Sequence, residues 1–165
     1  MRRILIAVLL AVALQGGAQE APALRDLFRQ MPDSLMPYLS QNNRLDFIDF
    51  IDSNMKAEVK NSLDGTSEMT ALTADSLSIR MSEALRVDML LLTPAQAVDS
   101  CRQVICLVQT FGTDSISLES QVDFYTPEWR KIGIVPIFSP SDQKRIDALK
   151  VQTILKRDEE ILKKN

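Results

Sequence analysis

The 165-residue chain contains no histidine. That absence excludes Ser-His-Asp and Cys-His nucleophile systems and every metal site built on imidazole. Glycine is almost as scarce. Apart from Gly16 and Gly17 near the start, only Gly65, Gly112 and Gly133 occur, so no glycine-rich loop exists to cradle a phosphate. There are two cysteines, Cys101 and Cys106, too few and too closely spaced for a zinc site. Their extended separation of ~17 Å far exceeds the ~4.4–6.8 Å between Cα atoms that a disulfide requires. Unless the backbone bends at Arg102-Gln103, they are two thiols, with Cys106 buried as a small hydrophobe. Long apolar runs are absent too, save one.

That one run is Ile4–Leu14, preceded by Arg2 and Arg3 and followed by Gly16-Gly17-Ala18. It is too short to span a bilayer, and its charged start and small-residue exit are those of a secretory signal cleaved after Ala18. Residues 1–18 are therefore expected to be a signal peptide, and 19–165 one domain, exported to the periplasm. A chain of that size buries roughly 70% of its unfolded surface, enough for a real core. No later segment is long enough to be a membrane helix. The net charge of −3 becomes more negative once Arg2 and Arg3 are gone. That argues against nucleic acid and anionic membrane partners, which need clustered Lys or Arg. Lys144-Arg145, Lys156-Arg157 and Lys163-Lys164 are interleaved with acids and read as a solvated helix face.

What is present is a period-two pattern. Leu77, Ile79 and Met81, then Leu85, Val87, Met89 and Leu91, alternate with polar residues as strands do. A single strand from Leu77 to Leu92 would be too long and would turn Glu83 inward, so Ser82-Glu83-Ala84 is read as a hairpin. Val104–Val108 is apolar on both faces. Ser115–Phe124 alternates again, with Ile116, Leu118, Val122 and Phe124 on one side. Leu77–Tyr125 is thus an antiparallel meander of four strands, and Ser67–Thr73 adds a fifth. Ile132–Phe138, broken by Gly133 and Pro136, is at best an edge strand.

Helices flank the sheet. Ala21–Met31 carries an apolar stripe at Leu24, Leu27, Phe28 and Met31, with Pro22 in its first turn. Pro32 ends it, and a short turn follows around Leu35 and Met36. Arg44 to about Met55, capped by Asn42-Asn43, turns Phe47, Ile48, Phe50, Ile51 and Met55 inward and Asp46, Asp49 and Asp52 outward. Ser139-Pro140-Ser141 caps a last helix, Asp142 to about Leu162, with Ile146, Leu149, Ile154 and Ile161 inward. The expected fold is α+β: an antiparallel sheet of about five strands with helices from both ends of the chain packed on it.

Asp46–Met55, Asn61–Arg80 and the run Phe124-Tyr125-Thr126-Pro127-Glu128-Trp129 resemble a family of small exported proteins of unknown function from Bacteroides-like bacteria. The resemblance covers most of the chain after the leader. Its motifs are structural, so it implies export and no particular activity.

Chemical motifs are few. Ser53-Asn54-Met55-Lys56 has the Ser-x-x-Lys spacing of penicillin-recognising enzymes, but the companion motifs are missing and the chain is short for that fold. It reads as a helix end. The three Asp of Asp46, Asp49 and Asp52 lack the glycine and closing Glu of a calcium loop and read as a solvent face. No metal or cofactor is implied. Phe124, Tyr125 and Trp129 form the one aromatic cluster, a candidate surface for a protein or glycan partner in the cell envelope, though aromatics just past a strand more often seal a core. The two-faced strand Val104–Val108 needs cover on both sides, from the C-terminal helix, an apolar ligand or a partner. The favoured function is a non-catalytic exported binding or interaction protein. The alternatives are a hydrolase using carboxylates such as Asp75, Asp88 or Asp123, and a small apolar-ligand carrier.

Overall fold

The computed structural model describes residues 22–112 and 118–150. Its centre is a six-stranded antiparallel sheet in which each strand pairs with its neighbours in sequence. The strands are β1 (Glu58–Lys60), β2 (Thr66–Leu72), β3 (Ser76–Arg80), β4 (Leu85–Leu92), β5 (Val104–Phe111) and β6 (Glu119–Tyr125). The α+β class is as expected, and the four-strand meander corresponds to β3–β6. The sixth strand is β1, whose three residues contain one apolar side chain, Val59, too little for a periodic signal. The hairpin break at Ser82-Glu83-Ala84 is present: Met81 and Ser82 both donate to the Leu85 carbonyl.

Among the described residues, two α-helices precede the sheet: α1 (Leu24–Arg29) and α2 (Gln41–Asp52). Helix α2 begins and ends earlier than the sequence suggested. Ser40, not Asn42-Asn43, is the cap. Its hydroxyl accepts from the Asn43 amide while the Asn43 side-chain oxygen accepts from the Ser40 amide, a reciprocal box. At the other end Asn54 adopts φ 54, a left-handed conformation that asparagine tolerates and that ends helices. The Met55 amide reaches back to Phe50 and the Asn54 amide to Ile51. Met55 is therefore outside the helix and exposed, not inward. Arg44 is inward instead, 1% exposed. Its guanidinium donates to the carbonyls of Met31 and Leu39 and pairs with Asp33 at 2.8 Å, holding the 3-10 turn Asp33–Leu35 against α2.

The sheet is covered on both faces. On one, Leu77, Ile79, Val87, Met89, Ile105 and Leu107 pack with Leu24, Phe28, Phe47 and Ile48 of the helices. On the other, Leu90, Leu92, Val104, Cys106, Val108 and Phe124 pack beneath Ile132, Phe138 and Ile146. Residue 146 belongs to α3 (residues 140–150), opened by a Ser139 hydroxyl that accepts from the Asp142 amide. Leu149 joins that cluster. Ile154, Ile161, Ile116 and residues 1–18, the expected signal peptide, lie outside the described residues. Arg145 of α3 pairs with Asp75 in the β2–β3 turn at 2.8 Å, and the same turn receives the amides of Leu24 and Leu91. Ile132–Phe138 makes no strand. Just before it Lys131 forms an isolated bridge with Tyr125, and the segment itself meets β6 through the Ile132 amide, which donates to the Phe124 carbonyl, and through the Phe138 ring against Phe124.

Candidate functional site

The three aromatic residues singled out above do not stand together. Strand alternation puts Phe124 on the α3 face, with its ring 5.4 Å from that of Phe138. Tyr125 falls on the α1–α2 face, 5.9 Å from Trp129. All three are buried. Trp129 sits at φ 61, an outlying conformation for a bulky residue. It is held there by its amide bond to the Thr126 carbonyl and its indole N–H bond to the Leu27 carbonyl. This placement favours the core-sealing role: Phe124 closes one layer and Tyr125 with Trp129 the other, where β6 ends.

The three carboxylates are also dispersed. Asp88 lies opposite Val108, on the α3 face, and Asp123 lies opposite Leu107, on the other. A sheet separates them, so they cannot flank one bond as a pair of catalytic acids must. Each has its own partner. Asp88 is buried, bound by Arg86 and by the Ser78 hydroxyl. Asp123 takes Lys131 at 2.8 Å and the Gln121 amide at 2.6 Å. Burial works to raise its pKa, but those hydrogen bonds and the lysine's charge outweigh it and hold it below the usual carboxylate range. Asp75 is engaged by Arg145. Both cysteines are free; Cys106 is fully buried, which pushes its thiol up to about 12. Among the described residues no group of three His, Cys, Asp or Glu is placed to hold a metal ion, and no helix is long and apolar enough to cross a membrane.

A different site emerges at the end of the sheet where β3 turns into β4. The turn after β1 is built by Asn61. Its side-chain oxygen accepts from the amides of Leu63 and Gly65, and its amide group donates to the Ser67 hydroxyl and the Met81 carbonyl. All four hydrogen-bonding positions of that side chain are filled. The turn is thereby pinned to the β3–β4 hairpin, and Leu63 is lifted to 61% exposure. Register places Phe111 directly across from Leu85. Tyr38 is brought alongside by its carbonyl, which accepts from the Ser62 amide. Between these side chains runs an open groove of about 200 Å³, floored by Asn61, Met81, Ser82 and Ala84. Its rim residues Tyr38, Leu63 and Phe111 are among the few large apolar side chains left exposed. With the Asn61 side chain saturated, the groove offers mainly apolar contact and shape, with the Tyr38 phenol and the Ser82 hydroxyl among its polar groups.

Sequence reasoning missed this site because Tyr38, Leu63, Leu85 and Phe111 come from four separate stretches. The one local signal was Leu63 itself, a large apolar residue inside the polar turn Asn61–Gly65.

The sequence profile of a family described as a protein of unknown function, DUF3256, matches residues 15–159. No curated protein matches the chain. Among solved structures, a domain of an uncharacterized protein from Porphyromonas gingivalis W83 is similar, with a TM-score of 0.53 and 28% identity over 67% of this chain. The match covers 53% of that chain, so the present sequence spans about half the length of its structural relative.

Proposed function

For a chain that belongs to DUF3256, a family of proteins of unknown function, we propose a role as a non-catalytic, exported binding protein of the cell envelope. It docks a polypeptide by taking an apolar side chain into the groove between Leu63, Leu85 and Phe111. The observation that carries this reading is the groove itself: a concave, mainly apolar surface ringed by exposed Tyr38, Leu63 and Phe111. An apolar anchor seated in such a pocket and rimmed by aromatics is the usual energetic centre of a protein interface. Size favours a polypeptide over a free ligand. At about 200 Å³ the groove is smaller than the ~300–1,000 Å³ of small-molecule sites, and so fits an inserted side chain better than an acyl chain.

Export rests on the leader pattern of residues 1–18, and is tested by sequencing the N-terminus of protein from envelope fractions. It should begin at Gln19; an intact Met1 there would refute export. Docking is tested by native mass spectrometry of the same material, with a photo-crosslinking residue placed at the rim position 38. A bound polypeptide that crosslinks there and is lost in Leu63→Asp supports the reading. A lipid-sized adduct would instead favour the carrier, and crosslinking no stronger than from a control at exposed Asp46 would sink the docking role.

A further inference from the structure

From Ile132 to Phe138 the run Ile-Gly-Ile-Val-Pro-Ile-Phe has no side chain able to form a hydrogen bond. Ile132, Pro136 and Phe138 are buried. The Ile132 amide donates to the Phe124 carbonyl at 2.8 Å, and the Ala95 amide donates to the Ile137 carbonyl at 2.7 Å. Held at both ends, the loop points Ile134, Val135 and Ile137 outward at 66%, 77% and 76% exposure. Three large aliphatics within four positions differ from the singly scattered surface apolar residues that need no explanation. All three are β-branched and stiff at χ1, and the backbone is anchored, so burying them loses little entropy.

The loop sits at the end of the sheet where β4 finishes and β5 begins. The Leu91 amide donates to the Asp75 carbonyl, and the Leu24 amide to the Ala74 carbonyl. The β2–β3 turn and the start of α1 therefore lie at that same end. Only residues 15–21 separate Pro22 from the apolar run Ile4–Leu14, a reach of at most about 28 Å. While the expected leader is in a membrane, this end of the sheet is the one tethered close to lipid. The groove lies at the other end, where Leu85 starts β4 and Phe111 finishes β5. Eight residues of β4 separate the ends, roughly 25 Å at strand rise.

We propose that Ile134, Val135 and Ile137 dip into the surface of a neutral, zwitterionic lipid bilayer. This is a second surface, independent of the groove. Its chemistry selects lipid over protein. Protein interfaces are anchored by Trp, Tyr and Arg inside a hydrogen-bonded rim, and the tip carries none of these. Hydrocarbon requires no hydrogen bond from the side chains it receives. Charge selects a neutral surface. Arg130 and Lys131, which lead into the loop, already pair with Glu128 and Asp123, and the whole chain is acidic. Contact therefore rests on apolar burial, not on attraction to anionic headgroups. The three side chains together hold fewer carbons than one myristoyl chain, whose marginal, reversible binding of ~10⁴ M⁻¹ sets a ceiling. Attachment is accordingly weak and reversible, and a docked molecule turns its groove away from the lipid.

The test is cosedimentation with phosphatidylcholine vesicles. It uses the chain from Gln19 onward, which keeps every described residue and lacks the leader's own affinity for lipid. The bound fraction should rise through the millimolar lipid range and be equal in low and high salt. Val135→Asp should weaken partitioning at least about tenfold. Val135→Leu should preserve it, and Leu63→Asp, at the groove, should leave it unchanged. Circular dichroism checks that each variant keeps its fold. A photo-crosslinking residue at position 135 should label lipid. No binding at ~10 mM lipid would overturn the inference, because a coefficient a hundredfold below the myristoyl value would still hold half the protein there. So would binding that survives Val135→Asp, or binding confined to anionic vesicles and abolished by salt. Label that goes to protein alone in envelope fractions would also overturn it, making the tip a protein contact. The groove's docking role is read separately, by crosslinking at position 38, and stands or falls without the tip.

Discussion

The indole N–H of Trp129 donates to the carbonyl of Leu27 at 2.9 Å, joining residues 102 positions apart. It ties the exit from β6 to α1. The Leu27 carbonyl also accepts from the Gln30 amide, so losing the indole would not leave it without a partner.

Trp129→Phe keeps most of the apolar volume and removes that donor. It should lower stability by about 1–2 kcal/mol, the cost of one buried hydrogen bond and some packing. The measurement is urea unfolding followed by circular dichroism, because the chain has a single tryptophan and the variant has none. An unchanged midpoint would show that the bond contributes nothing.

Ile105 and Val108 are both fully buried, on opposite faces of β5. Ile105→Ala and Val108→Ala should each cost about 1–4 kcal/mol, through lost transfer energy and a residual cavity. The sheet isolates the two cavities, so the double variant should be additive to within about 0.5 kcal/mol. A Val108→Ala variant as stable as the wild type would mean that Ile132, Phe138 and α3 do not cover that face.

Cys106 should be inert in the folded protein. Alkylation followed by mass spectrometry should find Cys101, which is partly exposed, modified first, and Cys106 only in denaturant. Burial raises the Cys106 thiol to about 12 in the native state, against ~8.5 when unfolded. Unfolding therefore releases a proton above pH ~8.5. The thiol's contribution to stability is complete below that pH and declines as pH rises towards the folded value, by at most about 1.4 kcal/mol per unit. Cys106→Ala should flatten this alkaline decline; an unaltered slope would contradict it.

The Asp123–Lys131 pair acts at the opposite end of the pH scale. Asp123 is held below its ordinary pKa, so its stabilisation is present above the unfolded value of ~3.9 and is lost as pH falls through the lower folded one. Lys131→Met should move the acid-unfolding midpoint, read from Trp129 fluorescence, to higher pH. At neutral pH the loss should be small, since Lys131 is largely solvated and the pair is screened by water.

Alternation at Leu77–Leu91 and the two-faced run Val104–Val108 made the sheet legible, because a period of two survives any tertiary context that keeps one face dry. The misreadings lie where short-range polar chemistry decides. Ser40 and Asn54 set the limits of α2 through side-chain and left-handed caps, and a polar stretch offers several residues able to serve. β1 was invisible because its pairing with β2 is set by backbone register, with Val59 alone contributing to the core. Phe124, Tyr125 and Trp129 were legible as a cluster in sequence, but alternation sends neighbours on a strand to opposite faces. The groove assembles from four distant stretches, and no local pattern encodes their meeting.

The strand order has a kinetic consequence. Every strand pairs with its predecessor, so each hairpin can close as soon as its second strand is available, over short loops with little entropy to overcome. The sheet can thus zip from β1 to β6 in the order of synthesis. The covers arrive differently. α1 and α2 precede the sheet and can dock as it grows, whereas Ile132, Phe138 and α3 come last. Until they do, Val104, Cys106 and Val108 form a bare apolar face on an otherwise finished sheet. Such a surface invites association between incomplete chains. The time between completing β6 and seating Ile146 is therefore the interval in which this protein is most exposed to aggregation, and most in need of a chaperone.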